Sequence, residues 1–197
     1  MADVIEAKHT ATQFHPHPEG QFVVRCVDAI NMGQKVETFP GSPPKIVQKC
    51  VLVFQSGEKN EDGRLHEVSA EMTVSMGERA NLRKLLEQWR GKSYTDEQAR
   101  AGVPVHKLVG QAALMTVEHK QSGSGRTYAR ISSIAPLPKA MQSAAPELPE
   151  YERPAFWQER KDEYAADVSK FLAAQQSGPA FDEVPDALEN EDDDLPF

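Results

Sequence analysis

A mainly β domain interrupted by one helix, then a second helix and an acidic end, is what the sequence predicts, on three observations. Apolar and β-branched residues gather in five short runs between residues 20 and 138, each bounded by Gly, Pro or polar turn residues. Between the third and fourth runs the hydrophobic period changes from about two to about 3.6 residues. Charge is also divided along the chain. Residues 1–140 hold 18 Lys+Arg and 15 Asp+Glu, a net of +3, whereas residues 141–197 hold 4 and 15, a net of −11. A chain of 197 residues suffices for one ordinary domain with attachments. Its hydrophobic fraction of 39% is low enough that part of it is expected to lie outside a packed core.

Residues 1–19 are polar and contain His15-Pro16-His17-Pro18; prolines at alternate positions exclude a helix or a central strand. With no Cys or carboxylate cluster beside His15 and His17, a flexible N-terminal arm is expected there rather than a metal site. QFVVRCVDAI, from Gln21, reads as the first strand. After the break at Phe39-Pro40-Gly41-Ser42-Pro43-Pro44, Lys45–Phe54 reads as the second. Leu65–Val74 alternates, with Val68, Ala70, Met72 and Val74 on one face, and reads as the third. Ser75-Met76-Gly77-Glu78 has capping-box spacing. Leu82, Leu85, Leu86 and Trp89 then form one helical stripe, with Gly91 placed to end it, so Trp89 is read as core. A fourth strand is expected within HKLVGQAALMTVEHK from His106, a hairpin at Ser122-Gly123-Ser124-Gly125, and a fifth strand in RTYARISSI.

Strand-strand-strand-helix-strand-strand is the element order of the OB-fold, a five-stranded Greek-key barrel with its helix between strands three and four. The expected organisation is an arm over 1–19, the barrel over 20–138, a Pro-rich linker over 139–153, an amphipathic helix over 154–177 and a disordered acidic tail over 178–197. In that helix Trp157, Tyr164, Val168, Phe171 and Leu172 lie near one face, suited either to packing on the barrel or to docking a partner.

The composition excludes several classes. No apolar run is long enough for a membrane span, and no secretory signal is visible at the start. Cys26 and Cys50 lack CxxC spacing and read as reduced thiols. No P-loop, HExxH or GxSxG motif is present, so neither an enzyme nor a cofactor is expected.

The final residues are Asp192, Asp193, Asp194, Leu195, Pro196 and Phe197. The carboxylates suit a basic ridge, and Pro196 limits the ordering cost of binding. Phe197 offers a ring beside the α-carboxylate, suited to an apolar pocket with a basic rim. This tip resembles the end of bacterial single-stranded-DNA-binding proteins, usually Asp-Asp-Asp-Ile-Pro-Phe, with Leu195 in place of Ile. The body looks like the divergent OB-fold members encoded by phages and mobile elements. The resemblance implies a cytoplasmic protein that coats single-stranded DNA. It also implies that the tip recruits enzymes of replication, recombination and repair.

Binding a single strand needs cations for phosphates and flat groups for bases. Arg126, Tyr128 and Arg130 share the face of the fifth strand opposite Ala129 and Ile131 and are expected to point outward. Arg25 and Lys49 lie between valines on the first two strands. Lys35, Lys45, Lys107 and Lys120 lie near strand ends or loop tips, and Phe39 lies in the first interstrand loop. Phe22 and Phe54 could stack bases or fill the core. A protein-binding adaptor with the same barrel is the alternative, and homo-oligomerisation stays open.

Overall fold

The computed structural model describes residues 16–38, 40–147 and 151–176. The strands are β1 (Gly20–Glu37), β2 (Lys45–Lys59), β3 (Leu65–Thr73), β4 (Ala112–Gln121) and β5 (Thr127–Pro136). The helices are α1 (Asn81–Arg90), α2 (Asp96–Ala101) and α3 (Phe156–Gln176). All strand pairs are antiparallel, in the order β3-β2-β1-β4-β5. The two edge strands, β3 and β5, approach each other, so the sheet curls towards a barrel, but no hydrogen-bonded ladder joins them. Among the described residues no helix is long and apolar enough to cross a membrane.

β2 explains why the architecture needs two layers. Its residues from Lys49 to Ser56 are all buried, a continuous run that requires cover on both faces of the sheet. Cys50, Leu52 and Phe54 point into the curl, where Val24, Cys26, Met72, Leu82, Leu86, Trp89, Met115, Val117 and Ile134 complete the core. Val51 and Val53 point the other way and pack with Val27, Ile30, Met32, Trp157 and Tyr164. Two β-bulges in β1 feed this outer layer. Register shifts between Cys26 and Asp28, and between Asn31 and Gly33, leave Val27 and Met32 as the extra residues. Both side chains join the cluster beneath α3.

The second helix of the sequence reading therefore packs on the sheet, burying Trp157, Tyr164 and Val168. Polar contacts orient it. Tyr164 donates its hydroxyl hydrogen to Glu71 Oε2 at 2.7 Å and accepts from Lys35 Nζ at 3.0 Å, while Lys35 also reaches Glu71 Oε1 at 3.1 Å. Just before α3, Arg153 holds Asp28 through two hydrogen bonds of 2.7 and 2.8 Å. Burial alone would raise the Glu71 carboxyl, but the Tyr164 hydroxyl and the Lys35 ammonium outweigh it and leave it below its usual value. A carboxyl depressed in this way stabilises the fold above its unfolded value of 4.5, and that contribution is lost as pH falls through the folded value.

Several expectations shift by a few residues. α1 does not start at the Ser75–Glu78 box. Ser75 Oγ instead accepts from the Gly77 amide at 3.3 Å, closing a local turn, and the N-cap is Ala80 without a side-chain bond. Arg83 secures the region by donating to Met76 O, Tyr94 O and Glu87 Oε1. Trp89 is core, as expected, donating from Nε1 to Ala112 O at 3.0 Å and meeting Phe54 edge-on. Phe54 is fully buried in the core, and Phe22 is half-buried against it. His106–Leu108, expected to open strand four, belong to a 3-10 turn (Val105–Leu108), and β4 starts at Ala112. The end of the expected arm is held in place, with His17 fully buried. Both cysteines are free and buried, and burial pushes the Cys26 thiol up to about 12. The expected tail from residue 178 lies outside the described residues.

Two substitutions test this packing. Gly91 ends α1 at φ +68°, and a Cβ there would lie 2.8 Å from Pro136 Cγ. Gly91→Ala is expected to cost about 1–2 kcal/mol, read as a lower denaturation midpoint at unchanged slope. Tyr164→Phe removes both hydroxyl bonds and is expected to cost about 1–2 kcal/mol at neutral pH. That difference from wild type should shrink in denaturation curves recorded below pH 4.5.

Candidate nucleic-acid interface

β5 follows the alternation expected of it. Ala129 and Ile131 pack against the core, while Arg126, Tyr128 and Arg130 are exposed, Tyr128 at 41%. Arg126 stands one residue before the strand, in the hairpin, where its backbone amide donates to Ser122 Oγ at 3.1 Å. Across the β4–β5 ladder Tyr128 faces Lys120 and Arg130 faces Glu118. Lys120 is exposed and lies 3.4 Å from Glu118 Oε1.

A groove of about 790 Å³ opens where β3 and β5 approach without pairing. Glu67 and Ser69 of β3 form one wall, and Arg126 and Tyr128 the other. The first turns of α3 cross the end with Phe156, Glu159, Arg160 and Glu163, spaced as one helical stripe beside the buried stripe of Trp157 and Tyr164. Phe156 is 50% exposed. Two of the five exposed large hydrophobic side chains among the described residues thus face one groove. The ionic groups around it are two guanidinium groups, from Arg126 and Arg160, and three carboxylates, from Glu67, Glu159 and Glu163.

His17 lies at the floor. Its Nδ1 is 3.0 Å from Pro18 O, an atom that can only accept, so Nδ1 carries the proton and Nε2 accepts from Ser56 Oγ at 3.1 Å. Burial holds the imidazole below its ordinary value of 6.5, despite the opposing bond to Pro18. His119 Nε2 bonds His17 O at 2.8 Å, fixing the backbone of this segment to β4.

The groove unites only part of the set proposed from sequence. Arg126 and Tyr128 line it; Arg130 and Lys120 stand beside Tyr128 on the hairpin, outside the lining. Arg25, Lys35 and Lys49 are corrected, because each side chain is committed within the fold. Arg25 donates to Pro146 O and Gly110 O, bracing the segment after β5. Lys35 joins Glu71 and Tyr164 beneath α3. Lys49 is 6% exposed, pairs with Glu37 and donates to Thr73 Oγ1. Alternation placed Arg25 and Lys49 on an outer surface and Lys35 was placed near a strand end, but the segment after β5 covers Arg25, α3 covers Lys35, and Lys49 is buried beside Glu37 and Thr73. Lys45 and Lys107 are exposed away from the groove, at the start of β2 and in the 3-10 turn. Phe39 and the tip Asp192–Phe197 lie outside the described residues.

Phe156 and Arg160 were missed. Their i, i+4 spacing was legible, but the helix was read for one apolar face, and Phe156 lies on the neighbouring stripe. No protein-family model matches this chain, and no curated protein shows significant similarity to it.

A histidine depressed by burial stabilises the fold fully above its unfolded value of 6.5, and this contribution declines as pH falls towards the folded value. Stability is therefore expected to drop from pH 7 into the acid range, and His17→Gln should flatten that slope in denaturation measured across pH. An unchanged slope would place the titration on another group.

Proposed function

We propose that the protein binds single-stranded DNA without strong sequence specificity, on an OB-type barrel. The strand order β3-β2-β1-β4-β5, the helix between β3 and β4 and the approach of the two edges support that topology. The observation that carries the function is the pairing of exposed Tyr128 and Phe156 across one groove that also holds Arg126 and Arg160. Rings of this kind stack on unpaired bases, and guanidinium groups meet phosphates or stack themselves. In the same proposal the tip Asp192–Phe197 recruits proteins of replication, recombination and repair, as the resemblance to bacterial single-stranded-DNA-binding proteins implies.

Fluorescence anisotropy with a labelled single strand, at two salt concentrations and against matched duplex, tests this reading. Arg126, Arg160, Arg130 and Lys120 could neutralise about four phosphates, giving a slope of log K against log salt of roughly −3. Tyr128→Ala and Phe156→Ala are each expected to weaken binding by about 1–3 kcal/mol. Arg160→Ala should flatten the salt slope by about 0.7. No binding of single strands at either salt concentration would overturn the reading and leave the barrel as a protein-binding adaptor.

A further inference from the structure

Among the described residues the groove carries two guanidinium groups and three carboxylates, a formal charge of −1. A phosphate chain laid along its floor would meet more repulsion than attraction. A carboxylate, however, is an acceptor without a donor of its own, and it suits the amino groups on base edges. The three carboxylates are arranged around the rings rather than apart from them. Glu159 and Glu163 lie three and seven residues after Phe156 on α3, flanking Arg160. Glu67 stands on the β3 wall, where Gln55 Nε2 donates to its Oε1 at 2.6 Å and fixes its position. Gln55 is 7% exposed, and its own Oε1 is buried without a hydrogen-bond partner among the described residues. Gln55 itself stands on β2 outside the groove's lining, so it acts on the groove only through Glu67.

We infer that the groove selects bases bearing exocyclic amino groups, with Glu67, Glu159 and Glu163 as acceptors and Tyr128 and Phe156 as stacking faces. This rests on the single-strand reading above and adds a base preference to it. Cytosine and adenine each present an amino donor, and guanine presents its N1–H and amino group side by side to a carboxylate. Thymine and uracil instead carry a carbonyl oxygen at C4 and offer one N3–H flanked by two carbonyls, so a carboxylate that reaches it also faces acceptors. The phosphates then follow the rim, where Arg126 and Arg160 lie, and the bases turn inward.

The test compares oligo-dC with oligo-dU of equal length, which differ at C4 in carrying an amine or an oxygen. Anisotropy is read in mildly alkaline buffer, where cytosine is neutral. Oligo-dC is expected to bind about five- to tenfold more tightly. A strand of N4,N4-dimethyl-dC, which keeps the ring but lacks the amino hydrogens, should lose that advantage. In the double variant Glu159→Gln, Glu163→Gln the ratio of the two affinities should fall towards one. The ratio is the readout because removing negative charge strengthens binding of every oligonucleotide alike. Oligo-dU bound as tightly as oligo-dC, or a preference that survives dimethylation, overturns the base preference and leaves single-strand binding standing. Failure to bind either oligonucleotide overturns the single-strand reading itself.

Discussion

The two-sided burial of β2 is the constraint on which the rest of this structure depends. A strand with Cys50, Leu52 and Phe54 on one face and Val51 and Val53 on the other cannot leave either face in water. The inner face is satisfied by the curl of the sheet and by α1. The outer face requires a separate element, and α3 supplies it with Trp157 and Tyr164. The β1 bulges are part of the same solution, since they add Val27 and Met32 to the layer that α3 covers. The polar ring of Lys35, Glu71 and Tyr164, with the Arg153–Asp28 pair, adds direction to a contact that apolar packing alone would leave free to slide.

Covering that face decides where a ligand can go. Much of the outer surface of β1 and β2 is taken, and the cations on it are occupied with carboxylates, carbonyls and hydroxyls. What stays accessible is the seam between β3 and β5. Here the sheet does not complete its hydrogen-bonding circuit, and a hairpin and a helix end overhang the gap. The chemistry of the seam is mixed: rings for stacking, guanidinium groups and more carboxylates than cations. This composition differs from a uniformly basic channel.

Much of this was legible in the sequence, and the illegible parts share physical causes. The five strands, the Leu82-Leu86-Trp89 stripe, the Gly91 stop and the outward face of β5 follow from local periodicity, which the structure keeps. The misplaced α1 start reflects a competing turn, with Ser75 bonding two residues ahead rather than capping a helix. Arg25, Lys35 and Lys49 were misread because sequence position, alternation for Arg25 and Lys49 and nearness to a strand end for Lys35, reports only which part of a sheet a residue occupies. It does not report whether a distant segment later covers that part. The bulges at Val27 and Met32 were invisible for a related reason, since both are ordinary apolar residues whose extra place in the ladder is fixed by β2. Phe156 and Arg160 needed knowledge of which helix stripe faces the sheet before the neighbouring stripe could be recognised as a groove wall.

The groove joins two parts far apart in sequence, the sheet, whose edges β3 and β5 form its walls, and the opening turns of α3, which cross its end. Any molecule gripping both acts as a strut between helix and sheet. Occupancy and helix attachment are then reciprocally linked: whatever loosens α3 must weaken the ligand's hold, and a bound ligand must resist that loosening by the same factor.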